Sequence, residues 1–321
     1  MGSQGYPHSD AEMLVAATGH AKIGGMKHTR DKASQAAWLT AQYNNRALVP
    51  EHGKHLARWA SQSSKARAGS GVLADLAYGH AQGESLDVFK PAPGSVQGLA
   101  PVMVFIHGGY WRSLDKSDHS FVAPAFTRQG VCVVVVNYAL CPDVRVSDIC
   151  MQMTQALAWV NRHIAVHGGD PSRVTVVGHS AGAHLAAMML ACDWSSVASG
   201  LPEVVVRNAL GISGVYDLEP LRHAPFIQND LQLTAAEARR VSPAGMGSPA
   251  HLPQDAVLMT VAGADESEEF RRQNGLMQAA WGEERVPVNE LIKGRNHFSV
   301  LEELVRGKSR LHRLACDLLG V

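Results

Sequence analysis

The sequence predicts an α/β protein organised around a mostly parallel central sheet flanked by helices, and three observations carry that expectation. From residue 72 onward, short Val- and Ile-rich runs alternate with helical segments, the pattern of a parallel sheet covered on both faces. The run Val131, Cys132, Val133, Val134, Val135, Val136 is unbroken and almost wholly β-branched, as suits a strand buried on both sides. The chain has 321 residues, 46% of them hydrophobic, so a fold of this size can bury about 75% of its unfolded surface.

Taken in order, residues 1–30 contain Gly and His without periodicity and read as a flexible lead-in. Residues 31–70 read as an N-terminal helical segment: Asp31 is a good N-cap, and two amphipathic helices are expected, broken near Pro50. Gly69, Ser70 and Gly71 form a hinge into the main domain, residues 71–321. Strands are expected at Val72 to Tyr78, Leu86 to Phe89, Val102 to Ile106, Val131 to Tyr138, Val174 to Val177, Val205 to Ile212, Val257 to Ala262 and Val288 to Ile292. Between them, Ile149, Met153, Leu157, Val160 and Ile164 recur at helical spacing behind Ser147, an expected N-cap. A last helix is expected from Ser299, with Leu301, Leu304, Leu311, Leu314 and Leu318 on one face. Residues 216–255 interrupt the alternation with five prolines and read as a small lid-like excursion.

Charge and cysteine usage bound the function. Lys and Arg number 29, as do Asp and Glu; with no basic block, the electrostatic footprint of a nucleic-acid binder or a polybasic membrane clamp is missing. This balance fits small, largely uncharged substrates. Five widely spaced cysteines without a C-x-x-C pair read as core thiols in a reducing compartment. The N-terminus lacks a signal-peptide pattern and no apolar run approaches the ~20 residues of a membrane span. A cytoplasmic protein is therefore expected, with homodimerisation left open.

The most informative segment is Val174-Thr-Val-Val-Gly-His-Ser180-Ala-Gly-Ala-His-Leu, a G-x-S-x-G between a β-branched run and an apolar helix. A sharp strand-to-helix turn there would present the Ser180 hydroxyl, with Gly178 and Gly182 removing side chains that would collide. His107-Gly-Gly-Tyr-Trp111 follows an apolar strand. Acyl transfer needs N–H donors aimed at a developing oxyanion, and Gly108 and Gly109 let the backbone supply them, with the N–H of Ala181 as the second source. His107 itself is expected to hold the loop.

A serine needs an imidazole to take its proton and a carboxylate to orient that imidazole. His297, after the last strand and before the last helix, is the expected base. His179 should point away from the serine, and His184 should lie beneath the loop. The turn after Val257 to Ala262 offers Asp265 first, the favoured acid; Glu266, Glu268 and Glu269 fit the first turn of the next helix, and Asp217 is the second choice. His52-x-x-His55 and His163-x-x-x-His167 have chelating spacing without further ligands, so no metal is expected. Neither a Walker A loop nor a GxGxxG fingerprint follows a strand, so no nucleotide cofactor is expected.

Assembled, these residues resemble the α/β-hydrolase superfamily, and within it the kynurenine formamidase (arylformamidase) branch and its esterase neighbours. The resemblance spans roughly residues 42–304 and rests on Gln42-Tyr-Asn-Asn-Arg46, His107-Gly-Gly-Tyr-Trp-Arg-Ser-Leu-Asp-Lys116, Asn137-Tyr-Ala-Leu140 with Pro142, Gly178-His-Ser-Ala-Gly-Ala-His-Leu185, Ser213-Gly-Val-Tyr-Asp-Leu-Glu-Pro220, Ala264-Asp-Glu-Ser-Glu-Glu-Phe270 and Asn296-His-Phe-Ser-Val-Leu-Glu302. The elbow and HGG motifs are shared by many esterases; the G-Y-W-x-x-L-D-K and Y-D-L-E-P blocks are more particular to the formamidase-like group. The resemblance implies a triad of Ser180, Asp265 and His297, an oxyanion hole in the HGG loop, and hydrolysis of N-formyl or other small N-acyl arylamides, or of aryl esters. Tyr110, Trp111, Tyr138, Tyr216 and Phe298 are the candidates to line an aryl-sized pocket. A catalytically silent binding protein on the same fold is the remaining alternative.

Overall fold

The computed structural model describes residues 31–321; the expectation for residues 1–30 lies outside them. Eight strands form one sheet: β1 (Val72–Ala77), β2 (Ser85–Phe89), β3 (Ala100–Ile106), β4 (Cys132–Val136), β5 (Gly169–His179), β6 (Asn208–Ile212), β7 (Leu258–Gly263) and β8 (Val288–Ile292). Their order is β1-β2-β4-β3-β5-β6-β7-β8. β2 runs antiparallel to both β1 and β4, and every pairing from β4 to β8 is parallel. This is the α/β-hydrolase architecture.

Strand alternation divides the core. Val102, Val104 and Ile106 of β3 face one side with Val134, Val136, Val174 and Val176; Met103 and Phe105 face the other with Val133, Val135 and Val177. Each side chain is fully buried, worth about 1.5–3 kcal/mol apiece for the larger aliphatics. The helices are α1 (Lys32–Tyr43), α2 (Asn45–Leu48), α3 (His52–Arg67), α4 (Ala123–Thr127), α5 (Val146–His163), α6 (Ala181–Ala191), α7 (Gln228–Leu231), α8 (Ala235–Arg240), α9 (Glu268–Trp281), α10 (Ser299–Glu303) and α11 (Arg310–Leu319). Buried residues of α1, α5, α6 and α9 cover the first face, and those of α3, α4, α10 and α11 the second. α6 is apolar all round and wholly buried from Ala181 to Leu190, which explains why its sequence shows no stripe.

Three elements differ from expectation. Ser147 is not an N-cap: α5 starts at Val146, Asp148 accepts from the N–H of Arg145 at 2.8 Å, and the Ser147 hydroxyl donates to Glu237. The last helix is two, because Ser309 accepts from the N–H of His312 and starts α11 anew. The 31–67 segment holds three helices, with Asn44 capping the extra turn α2. In residues 216–255, Leu218, Leu221, Ala224, Ile227, Leu231, Ala238, Val241 and Ala244 are all buried in the main core, so this segment is packed against the domain along its length. No helix among the described residues is long and apolar enough to cross a membrane.

Candidate active site

The loops after β3, β5, β7 and β8 meet at the carboxyl edge of the sheet, where open parallel sheets place their ligands. Ser180 sits between β5 and α6 at φ 58° and ψ −117°, the strained turn that lifts a nucleophile above the sheet. Its N–H donates to the carbonyl of Ile212 at 2.8 Å, fixing the turn to β6. The flanking glycines are required sterically. A Cβ on Gly178 would come within 2.0 Å of the Gly182 carbonyl oxygen, and one on Gly182 within 2.0 Å of the Ile106 carbonyl oxygen.

His297 follows β8 in a turn held by Asn296, whose side-chain oxygen accepts from the N–H groups of Phe298 and Ser299. Its Nε2 lies 3.1 Å from the Ser180 hydroxyl and its Nδ1 2.7 Å from Glu266. A carboxylate accepts only, so Nδ1 carries the proton and Nε2 is free to accept from Ser180. The other Glu266 oxygen accepts from the N–H of Gly263 at 2.7 Å and from the Ser213 hydroxyl. All three residues are at least 93% buried, at 3% exposure for Ser180, 5% for His297 and 7% for Glu266.

Asp265, the acid expected from the sequence, is therefore replaced by its neighbour. Asp265 is exposed, with its N–H on the Arg295 carbonyl, whereas the N–H of Glu266 closes a turn on Gly263 that swings its carboxylate inward. Ser267 caps α9, so Glu266 precedes the helix instead of entering its first turn. That cap leaves both acidic residues in the loop, and the turn closed on Gly263 selects Glu266. Asp217 lies elsewhere, accepting from the N–H of Glu219 and 3.9 Å from Arg272; burial raises its pKa.

The HGG loop borders the serine. A Cβ on Gly108 would fall 3.0 Å from that of Ser180, and Gly109, at φ 107°, would drive one to 2.0 Å from the Ser113 carbonyl oxygen. Among the described residues the N–H of Gly109 has no protein acceptor, and that of Ala181, in the first turn of α6, has no intrahelical one. His107 holds the loop: its ring nitrogens contact the Gly108 carbonyl at 2.7 Å and the Asn137 side-chain oxygen at 3.0 Å, and it stacks on Tyr138 with centroids 4.3 Å apart. The far end is tied down by Lys116, whose N–H donates to Asn137 and whose ammonium pairs with buried Asp87 at 3.0 Å.

The cleft over Ser180 is lined by Tyr110 and Phe298, as proposed from sequence, but not by Trp111, Tyr138 or Tyr216. Those three are core. Trp111 packs edge-on against His184, the Tyr138 hydroxyl donates to the His107 carbonyl at 3.0 Å, and Tyr216 lies against Gly211 and Gly214, where a Cβ would strike its hydroxyl oxygen or ring carbons. Tyr110 and Trp111 both take a positive φ, 54° and 58°, and of the two only Tyr110 reaches the cleft. Residues that sequence reasoning missed come from α1–α3 and the excursion: Asn44, Asn45, Arg46, Leu56, Trp59 and Phe226. The Tyr110 hydroxyl donates to the Tyr43 carbonyl at 2.5 Å and joins that wall to the oxyanion loop.

His179 does not point away. It lines the cleft, its ring 4.9 Å from that of His297, and its Nε2 donates to the His297 carbonyl at 2.9 Å. Burial and the neighbouring His297 hold it well below the usual histidine range. His184, under the loop as expected, meets the Val241 carbonyl at 2.6 Å. His55 contacts Glu302 and, with His52, lies against Phe298; among the described residues no three His, Cys, Asp or Glu side chains group as a metal site.

The chain as a whole has known relatives. A kynurenine formamidase from Danio rerio is 32% identical over 268 residues, covering 83% of this chain and 88% of its own. The chain belongs to the kynurenine formamidase family of α/β-hydrolases. The BD-FAE family profile matches residues 86–223. Esterase LipQ of Mycobacterium tuberculosis is 32% identical over 201 residues, covering 60% of this chain and 43% of its own. A solved structure from Silicibacter sp. TM1040, a candidate thioesterase, superposes with a TM-score of 0.74 at 29% identity, covering 88% of this chain and 99% of that one. The protein is thus a hydrolase of the formamidase and carboxylic-esterase kind, acting on small substrates.

Proposed function

We propose that this hydrolase removes a formyl or other small N-acyl group from an arylamine, with N-formylkynurenine as the type of substrate, through an acyl-enzyme on Ser180. The observation that carries this reading is the unbroken relay from Ser180 through His297 to Glu266, at 3.1 and 2.7 Å. Ser180 attacks the carbonyl carbon while Nε2 of His297 accepts its proton, and Glu266 stabilises the resulting imidazolium. The oxyanion accepts hydrogen bonds from the N–H groups of Gly109 and Ala181, beside Gly108. His297 then returns the proton to the leaving nitrogen, and water, deprotonated by the same imidazole, cleaves the acyl-enzyme.

Formamide cleavage is supported by the Danio rerio relative, which aligns along most of both chains. Carboxylesterase activity is the second reading, favoured by the shared segment with LipQ. Steady-state assays with N-formylkynurenine, formanilide and p-nitrophenyl acetate separate them: ester turnover with inert formamides removes the first. Ser180→Ala is expected to lower kcat by about 10⁴-fold or more. Near-normal turnover by that variant rejects the acyl-enzyme mechanism, whereas no turnover together with no labelling of Ser180 by a fluorophosphonate leaves a binding protein.

A further inference from the structure

The cleft's charge is concentrated on one wall. Its lining includes Arg46 and Arg112 but no Asp or Glu. Arg112 is already engaged, bonded to the Asp230 carboxylate and donating to the Phe226 carbonyl at 3.1 Å. Arg46 has no carboxylate partner among the described residues; its Nη2 donates to the Ser113 hydroxyl at 3.4 Å. Next to it, Asn45 is 4% exposed and also lines the cleft, and its Nδ2 has no acceptor among the described residues. A buried donor without an acceptor is a cost that a bound acceptor would remove. The wall is held in place from both sides, by Asn44 capping α2 and by the Tyr110 hydroxyl on the Tyr43 carbonyl.

We propose that Arg46, with Asn45 beside it, forms the subsite that recognises the substrate's carboxylate, the anionic group that an acid of the N-formylkynurenine type carries away from the scissile carbonyl. A guanidinium offers a planar fork of donors matched to a carboxylate. In a cleft whose other cation is paired, the ligand supplies the missing anion. The near-zero net charge of the whole chain does not extend to this surface. Because Arg46 is exposed, the attraction is moderate and weakens with added salt. The proposal rests on the cleft being the acyl-transfer site and narrows its substrate class.

The test uses two matched pairs, 3-(4-formamidophenyl)propanoate against the corresponding propanamide, and 3-(4-acetoxyphenyl)propanoate against its propanamide. The wild-type enzyme is expected to prefer the acid by about tenfold in kcat/KM, chiefly through KM, with the preference shrinking as salt is raised. Arg46→Gln should bring the ratio close to one, and Arg46→Lys should restore part of it. Circular dichroism and Tm confirm that the variants are folded. Equal kcat/KM for acid and amide in the wild type, or a preference that survives Arg46→Gln, overturns the proposal. Inert formamides with an Arg46-dependent preference among the esters would reject the formamidase reading and uphold the subsite; cleaved formamides without that preference would do the reverse.

Discussion

The floor and the rim of the cleft are made of different material. The floor, from the HGG loop to the elbow, is backbone: Gly109, Gly178 and Gly182 sit where a Cβ would meet a carbonyl oxygen at 2.0 Å, and its ordering side chains, His107, Asn137 and Lys116, are at most 8% exposed. The rim is side chain, contributed by α1–α3 and Phe226 and including the exposed Arg46. Positions that hold a transition state must not move, so they are packed to contact. Positions that choose a substrate can change without disturbing them.

The acid tests the floor most severely. Glu266→Gln retains the shape of the turn but cannot stabilise imidazolium, and kcat is expected to fall by about 10³- to 10⁴-fold; Asp265→Asn, on the exposed side of the same turn, should stay within a few-fold. Comparable losses in both variants would mean that the two acids share the role. Next comes Gly182→Ala. The added methyl must displace the Ile106 and His107 carbonyls, at 2.0 and 2.7 Å, so a loss of roughly 1–3 kcal/mol is expected, together with lower kcat as the oxyanion loop shifts. Urea unfolding and steady-state kinetics on the same preparation would show both, and an unchanged kcat would uncouple packing from catalysis.

Acid sensitivity also belongs to the floor. His107, His119, His179 and His184 are buried, and burial pushes each below the usual histidine value of 6.5, to about 3 for His119 and about 4 for His184. Above pH 6.5 both folded and unfolded chains hold them neutral. As pH falls below that value the unfolded chain takes up protons that the folded one refuses, and stability is lost until the folded values are reached. Each contributes up to ~1.4 kcal/mol per pH unit within its window. The urea midpoint should therefore drop steeply below pH 6.5, and Trp111, edge-on to His184, should report it by fluorescence. A flat profile would show that these histidines do not remain neutral in the fold.

How much of the site was legible depended on how local its determinants are. All eight strands were anticipated, β3 and β4 most directly, because burial on both faces imposes unbroken apolar, β-branched-rich runs. Ser180 was readable from a motif whose glycines are demanded by contacts within one βα unit, and His297 from its place between β8 and the last helix. Asp265 was chosen over Glu266 because both stand in one loop and only the turn closed on Gly263 separates them. Trp111, Tyr138 and Tyr216 looked like pocket residues for the same reason that they are good core: large, apolar and next to the motifs. Asn45 and Arg46 stood in the Gln42–Arg46 block that carries the resemblance, but nothing local placed them at the cleft, since α2 meets the HGG loop across 67 residues of sequence, as the Arg46–Ser113 bond shows.

By itself, then, the sequence determined the sheet, the order in which nucleophile, acid loop and base occur, and the glycines that let strand, helix and oxyanion loop touch, all of which follow from short-range sterics and from periodic burial. Tertiary structure alone decided which carboxylate reaches His297, which aromatics see substrate and which cation overlooks the cleft. Those choices turn on the direction of single side chains at junctions between distant segments, where a rotation of one residue exchanges core for cleft.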